Sequence, residues 1–159
     1  MEQAVVSAVT HDTSEAKVTV SGVPDQPGVA ARLFRALADD GVNVDMIVQN
    51  TGTNGLTAIS FTVAMTDLEQ ATAICNEVKT AIGATSVTTD SHIGRVSIIG
   101  AGMKSSPGVT AQMFETLSNN GINIEMISTS SIRISCVVSA DKVAEAVRIL
   151  HTAFGLDAA

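Results

Sequence analysis

Two turns of related chemistry hold the residues best suited to gripping a small ligand. The first, Pro24-Asp25-Gln26-Pro27-Gly28-Val29-Ala30, lies between an alternating apolar stretch and an amphipathic one. The second, Met103-Lys104-Ser105-Ser106-Pro107-Gly108-Val109, has the same setting later in the chain. A strand-to-helix turn leaves backbone N–H groups unpaired at the helix start, where the helix dipole favours a carboxylate. Gly28 and Gly108 let a ligand approach the backbone closely. Asp25 adds an acceptor for an ammonium, so the first turn offers a partner to both ends of an α-amino acid. Lys104-Ser105-Ser106 occupies the matching place in the second turn, so the two cannot be chemically equal, which predicts one competent α-amino-acid site and a second that is altered, weaker or vestigial. A plainer reading stands beside this one, because Pro-Gly also punctuates helix starts and Asp25 can serve as a helix-cap acceptor. Asn43 and Asn123, each opening an apolar strand, are either turn residues or ligand contacts.

Other chemistries find no footing. His11, His92 and His151 fall in a turn, a linker and a helix, with no spacing for a triad or a metal. Gly100-x-Gly102 follows a strand, but Ser105 stands where a dinucleotide loop needs its third glycine, and no P-loop lysine signature occurs. Cys75 and Cys136 fit no zinc or CxxC spacing and sit in apolar stretches, as buried free thiols do. No cofactor and no metal are expected.

The turns belong to a longer repetition. Residues 27–47 return as 107–127 without a gap, with ten identities in 21 positions. That period is too long for a solenoid, so each copy is a small domain. Residues 3–9 and 15–23 alternate as strands around a polar turn at 11–14. Pro27 suits the first turn of a helix whose face is Val29, Leu33, Phe34 and Leu37, and Gly41 suits its left-handed end. Strands follow at 42–48 and around Ile59, Phe61 and Val63. A helix over 67–82 then opens with Thr66 and Glu69 as a capping box and turns Leu68, Ala71, Ile74, Cys75, Val78 and Ile82 inward. A short strand spans 86–89. This order is β-α-β-β-α-β, the ferredoxin-like unit of an α+β fold, with an antiparallel sheet and its helices on one face. The second copy repeats it with a strand from Arg95, a helix at 107–119, strands at 122–128 and 132–138, and a helix at 141–153. Beyond Phe154 only Gly155-Leu156-Asp157-Ala158-Ala159 remains, too short for its last strand. The unused strand at 3–9 is the natural substitute, which predicts interleaved domains: 15–92, and 93–159 completed by 1–14.

At 159 residues the halves are each near the size where a lone core is marginal, so shared buried surface or a second chain is expected. A net charge of −7 argues against nucleic acid, which needs clustered Lys and Arg. No apolar run is long enough to span a membrane and no signal peptide opens the chain, so the cytoplasm is the expected compartment.

A phrase Asp/Ser-x-Pro-Gly-Val at a strand-to-helix turn, followed by Gly-x-Asn-Ile/Val-x-Met-Ile, resembles the ACT domain, a small-molecule regulatory module. Gly100 to Val109, Asn123 to Ser130, EAKVTV at 15–20 and FRALAD at 34–39 look like the regulatory part of the aspartokinase family, over nearly the whole chain. The resemblance implies two interleaved ACT domains and a non-catalytic β subunit, which the Met1-Glu2 start also resembles, with the amino-kinase domain absent from this chain. It implies feedback control by threonine, with lysine as a second candidate effector, in a homodimer that regulates a catalytic α subunit. In the family, effectors bind where a turn of one ACT domain meets the second strand of another across a dimer interface. A threonine-type site would then use Asp25, Gln26, Pro27, Gly28, Val29, Ala30 and Gln49 with Asn123 and Ile124 of the facing domain. The weaker counterpart would use Met103, Lys104, Ser105, Ser106, Pro107, Gly108 and Val109 with Asn43, Val44 and Asp45. A lysine side chain would look to Asp45 or Glu125, and Ser131 stands where an acidic residue is expected. A scaffold of ACT-like domains that has lost its ligand is the alternative.

Overall fold

A computed structural model describes residues 5–52, 54–103 and 106–157. The chain divides into two units, Ser14–Ser91, and Met1–Thr13 with His92–Ala159. The first unit holds β2 (Glu15–Pro24), α1 (Val29–Asp39), β3 (Val44–Thr51), β4 (Leu56–Ala64), α2 (Leu68–Ile82) and β5 (Ser86–Asp90). Its antiparallel sheet has the order β3-β4-β2-β5. The second unit holds β1 (Val5–Asp12), β6 (Ile93–Ala101), α3 (Pro107–Asn119), β7 (Met126–Thr129), β8 (Arg133–Ser139) and α4 (Val143–Ala153), with β1-β6-β8-β7 as its order. The fold is α+β, with a four-stranded antiparallel sheet and two helices in each repeat.

Alternation decides what each sheet buries. Val18, Val20, Ile59, Phe61 and Val63 form one apolar face, which packs with Leu33 and Leu37 of α1 and Ala71, Ile74, Cys75 and Ile82 of α2. Val96, Ile98, Ile134, Cys136 and Val138 do the same with Met113, Leu117, Val143, Ala146 and Leu150. The faces turned away from these cores carry matched hydroxyl pairs, Thr19 with Ser60 at 2.9 Å and Ser97 with Ser135 at 2.7 Å, each directly across its ladder.

The helix ends explain where two strands start late. After α1 the Gly41 amide donates to the Ala38 carbonyl and the Val42 amide to that of Leu37, a Schellman motif with Gly41 at φ 75°. Gly121 and Ile122 repeat it on Ser118 and Leu117. Val42 and Ile122 are therefore buried helix-end anchors, and β3 and β7 begin only at Val44 and Met126. The expected capping box is absent. A 3-10 turn, Met65–Asp67, precedes α2, and the Leu68 amide donates to the Met65 carbonyl, so Thr66 and Glu69 are not needed as caps. The polar turn between the first two strands shrinks to Thr13-Ser14, because β1 runs on through His11 and Asp12. Gln3 and Ala4, assigned to that strand from the sequence, lie outside the described residues.

Both cysteines are free and buried. Burial pushes the Cys75 thiol from 9.0 up to about 11 and the Cys136 thiol up to about 12. Thiolate is the reactive form, so both should resist alkylation at pH 8 in the folded chain and react fully once it is denatured. Mass spectrometry after iodoacetamide treatment checks this. Because the folded-state values are raised, the associated stability is fully present below pH 9.0 and is lost as pH climbs toward 11–12.

Candidate functional site

β2 carries a bulge between Val20 and Val23, and its last residues, Val23 and Pro24, rejoin β4 opposite Thr57 and Leu56 before the chain turns toward α1. Two bonds hold this turn: the Asp25 amide donates to the Gly55 carbonyl at 2.9 Å and the Gln26 amide to the Pro24 carbonyl at 2.9 Å. The first ties the turn to the β3–β4 hairpin. Pro27 stays outside the helix, and Gly28 is the N-cap with φ 89° and ψ −14°. Only glycine adopts that left-handed conformation without strain. Beyond it the Arg32 amide donates to the Gly28 carbonyl, while the amides of Gly28, Ala30 and Ala31 donate to no backbone carbonyl among the described residues.

Asp25, Gln26, Pro27, Gly28, Val29, Ala30 and Gln49 line one recess of about 380 Å³. Gln49 arrives from β3, directly across the ladder from Ile59 of β4. The Asp25 side chain is exposed and does not cap α1, which has no side-chain cap bond. That removes the cap-acceptor reading of Asp25, which lines the recess and whose carboxylate has no partner among the described residues. The lining thus includes both a carboxylate and residues with unpaired N–H groups, the two kinds of partner a zwitterion needs.

Thr57 and Ile59 also line the recess and escaped the sequence reading. Thr57 left a signal. It shares strand parity with Ile59, Phe61 and Val63, so it is a polar residue on the core side of β4. Its hydroxyl donates to the Asn50 carbonyl at 2.8 Å, which lets it be 3% exposed without an unpaired group. Asn123 and Ile124 lie in the other unit, between α3 and β7, with Asn123 exposed.

The second turn is built differently. Pro107 is the first residue of α3, and Gly108 sits within the helix without a positive φ. The recess there, about 400 Å³, is lined by Met103, Pro107, Thr110, Thr129, Ser130, Ser131 and Ile134. Of the residues assigned to this site from the sequence, Met103 and Pro107 line it, while Ser106, Gly108 and Val109 adjoin it in the chain. Lys104 and Ser105 lie outside the described residues. Asn43, Val44 and Asp45 belong to the other unit. The described lining holds hydroxyls and no carboxylate, and the Ser130 hydroxyl already accepts from the Ile132 and Arg133 amides at 3.3 and 3.1 Å.

The two glycines should therefore respond oppositely to alanine. Neither has a heavy atom within 4 Å of an added Cβ, so backbone conformation alone decides. Gly28→Ala should cost about 1–2 kcal/mol, and Gly108→Ala, in a helical conformation, should stabilise by up to about 1 kcal/mol. Urea melts of the two variants measure both.

No nucleophile-and-base arrangement forms around the described histidines. Asp141 accepts from the Ser139 hydroxyl and lies 3.6 Å from His92 Nε2; Asp157 accepts from the Thr152 hydroxyl and lies 2.6 Å from His151 Nδ1. In both trios the carboxylate is central, whereas a triad needs the imidazole there to take the hydroxyl proton. These contacts lower both carboxyls, the Ser139 bond leading for Asp141 and the His151 bond for Asp157. Among the described residues no cluster of His, Cys, Asp and Glu could hold a metal ion, and no helix is long and apolar enough to cross a membrane.

A family profile for the ACT domain matches residues 17–78 and 96–154, one stretch in each copy of the repeat. Aspartokinase from Mycolicibacterium smegmatis is 51% identical over 158 residues, covering 98% of this chain and 38% of that protein. The chain thus spans about 38% of the length of the curated relatives it matches. A crystal structure of aspartokinase α and β subunits superposes with a TM-score of 0.89 at 43% identity, covering 95% of this chain and 99% of the other. The ligand-free regulatory subunit of aspartate kinase from Thermus thermophilus gives 0.90 at 39% identity, over 94% and 99%. With both copies matched by the profile and solved regulatory chains covered almost end to end, this chain belongs to the aspartokinase family as its ACT-domain regulatory part.

Proposed function

We propose that this chain binds free threonine in the recess at Asp25–Ala30 and relays its occupancy to a catalytic aspartokinase subunit as feedback inhibition. The observation that carries this reading is the partnerless Asp25 carboxylate in one recess with the unpaired amides that open α1. The ammonium goes to Asp25, the carboxylate to the amides, and Gln49 and Thr57 supply polar atoms for the side-chain hydroxyl. Asn123 and Ile124 of a second chain close the site in a homodimer, so ligand bound there favours one dimer arrangement over another. Lysine is a second effector in this reading, with Asp45 or Glu125 as partner of its side-chain ammonium. The hydroxyl-lined second recess, lacking a carboxylate, is the weaker site. The cytoplasm, where free thiols stay reduced, is the compartment this reading assigns.

Thermal scanning with each common amino acid tests it. Threonine at about a hundred times its dissociation constant should raise Tm by roughly 5–10 °C. Equal melting with every amino acid would leave the chain as a ligand-free scaffold.

A further inference from the structure

Asparagine precedes glycine twice in this chain, at Asn54-Gly55 and at Asn120-Gly121. In that pair the asparagine side chain is open to attack by the next backbone nitrogen, because glycine has no Cβ in the way and turns freely. The structure separates the two. Asn120 Nδ2 donates to the Thr116 carbonyl at 2.8 Å, which draws the side chain back onto the end of α3. The Gly121 amide is also committed, donating to the Ser118 carbonyl at 3.0 Å. Asn54 is the reverse case. It and Gly55 are exposed in the β3–β4 hairpin, and a Cβ at Gly55 would meet nothing within 4 Å. The Gly55 amide donates to no backbone carbonyl among the described residues. Asn54 Oδ1 instead accepts from the Leu56 amide at 3.3 Å. This bond closes a ring containing both the Asn54 side-chain carbonyl carbon and the Gly55 nitrogen, and its donor stabilises the oxyanion formed when that carbon is attacked.

We propose that Asn54-Gly55 is a self-modifying site that converts to isoaspartate with water as its only co-reactant, and that the conversion releases the Asp25 turn. The Gly55 nitrogen bonds to the Asn54 side-chain carbonyl carbon, the bond from that carbon to the side-chain nitrogen breaks, and ammonia leaves with the Gly55 proton. The product is a five-membered succinimide. Water opens it at either carbonyl, giving aspartate when the new bond breaks and isoaspartate when the original peptide bond breaks. In isoaspartate the main chain runs through the former side chain, one carbon longer, and a carboxylate hangs from the Asn54 Cα. The Gly52 amide donates to the Leu56 carbonyl at 2.7 Å and closes the neck of this loop, so the added carbon is taken up inside it. There it displaces the Gly55 carbonyl, which holds the Asp25 amide at 2.9 Å. The lesion thereby loosens the turn that lines the recess. Weaker threonine binding by the converted chain is the one consequence that rests on the function proposed above.

The test ages the full chain at mildly alkaline pH and maps isoaspartate by methyltransferase labelling and peptide mass spectrometry. Label should appear at residue 54 about 10-fold sooner than at residue 120, where the Gly121 amide must first leave its hydrogen bond. Asn54→Gln should remove the label at 54, because its longer side chain would have to close a six-membered ring. Amide exchange without ligand, read by NMR, should show Asp25 exchanging about 10-fold faster in the converted chain while Val20 and Phe61 keep their rates. Threonine titration of fresh and converted samples then reads the effect on the recess. Absence of label at 54, or equal rates at 54 and 120, would overturn the proposal. So would complete conversion that leaves the Asp25 amide as protected as before. A fresh chain that binds no amino acid would remove the threonine reading alone, since labelling and exchange decide the modification without ligand.

Discussion

Asp25→Ala is expected to abolish the threonine-induced rise in Tm while leaving the unliganded Tm in place. The side chain is exposed and has no partner among the described residues, so its loss removes no contact on which the fold relies. Under the proposed reading its carboxylate would meet the ligand ammonium in a closed site, where deleting one member of a charge pair strands the other. Binding should weaken about 100-fold. Asp25→Asn separates charge from shape: it keeps the size and one acceptor oxygen, and should recover little of the affinity. Titration calorimetry on both variants measures the loss. Affinity unchanged in both would move the ammonium elsewhere.

Phe61→Ala should give the largest loss of stability, about 3–5 kcal/mol. Phe61 is fully buried, and its ring meets that of Phe34 edge to face with centroids 5.5 Å apart and planes at 71°. The chain has four Phe and no Trp or Tyr, so few other side chains are wide enough to refill that space. The place is special to the first unit. Ile47 pairs with Phe61 and Ile127 with Cys136, so the second unit fills the corresponding position with a thiol and sets Met113 where the first has Leu33. Hydrogen exchange should accordingly report faster opening across Ser14–Ser91 than across His92–Ala159. Equal acceleration in both units would mean that they unfold as one.

Much of the α+β plan was legible because the chain states it twice. The alternation of Ile59, Phe61 and Val63 and the stripe of α2 gave the core faces directly, and α3 spans the residues its pattern marked. Helix boundaries were harder, since they depend on backbone partners that the pattern does not contain. Val42 and Ile122 look like strand residues by type, yet their amides close helix ends. Thr66 and Glu69 have capping-box spacing, yet a 3-10 turn precedes that helix.

The asymmetry of the two turns was only half legible. Asp25 against Lys104-Ser105 is plain in the residues. The different roles of Gly28 and Gly108 are not, because both stand in Pro-Gly-Val. The approach to each differs: the Asp25 amide is tied to the Gly55 carbonyl, and Gly28 follows in the left-handed region. The second approach is two residues longer and lets the helix begin at Pro107.

A crystal structure grown with threonine tests the central claim most directly. The expected result is density in the recess beside Gly28, with the ammonium on Asp25 and the carboxylate on the first amides of α1. Threonine bound only against the hydroxyls of Thr129, Ser130 and Ser131, or not bound at all at saturating concentration, would contradict it.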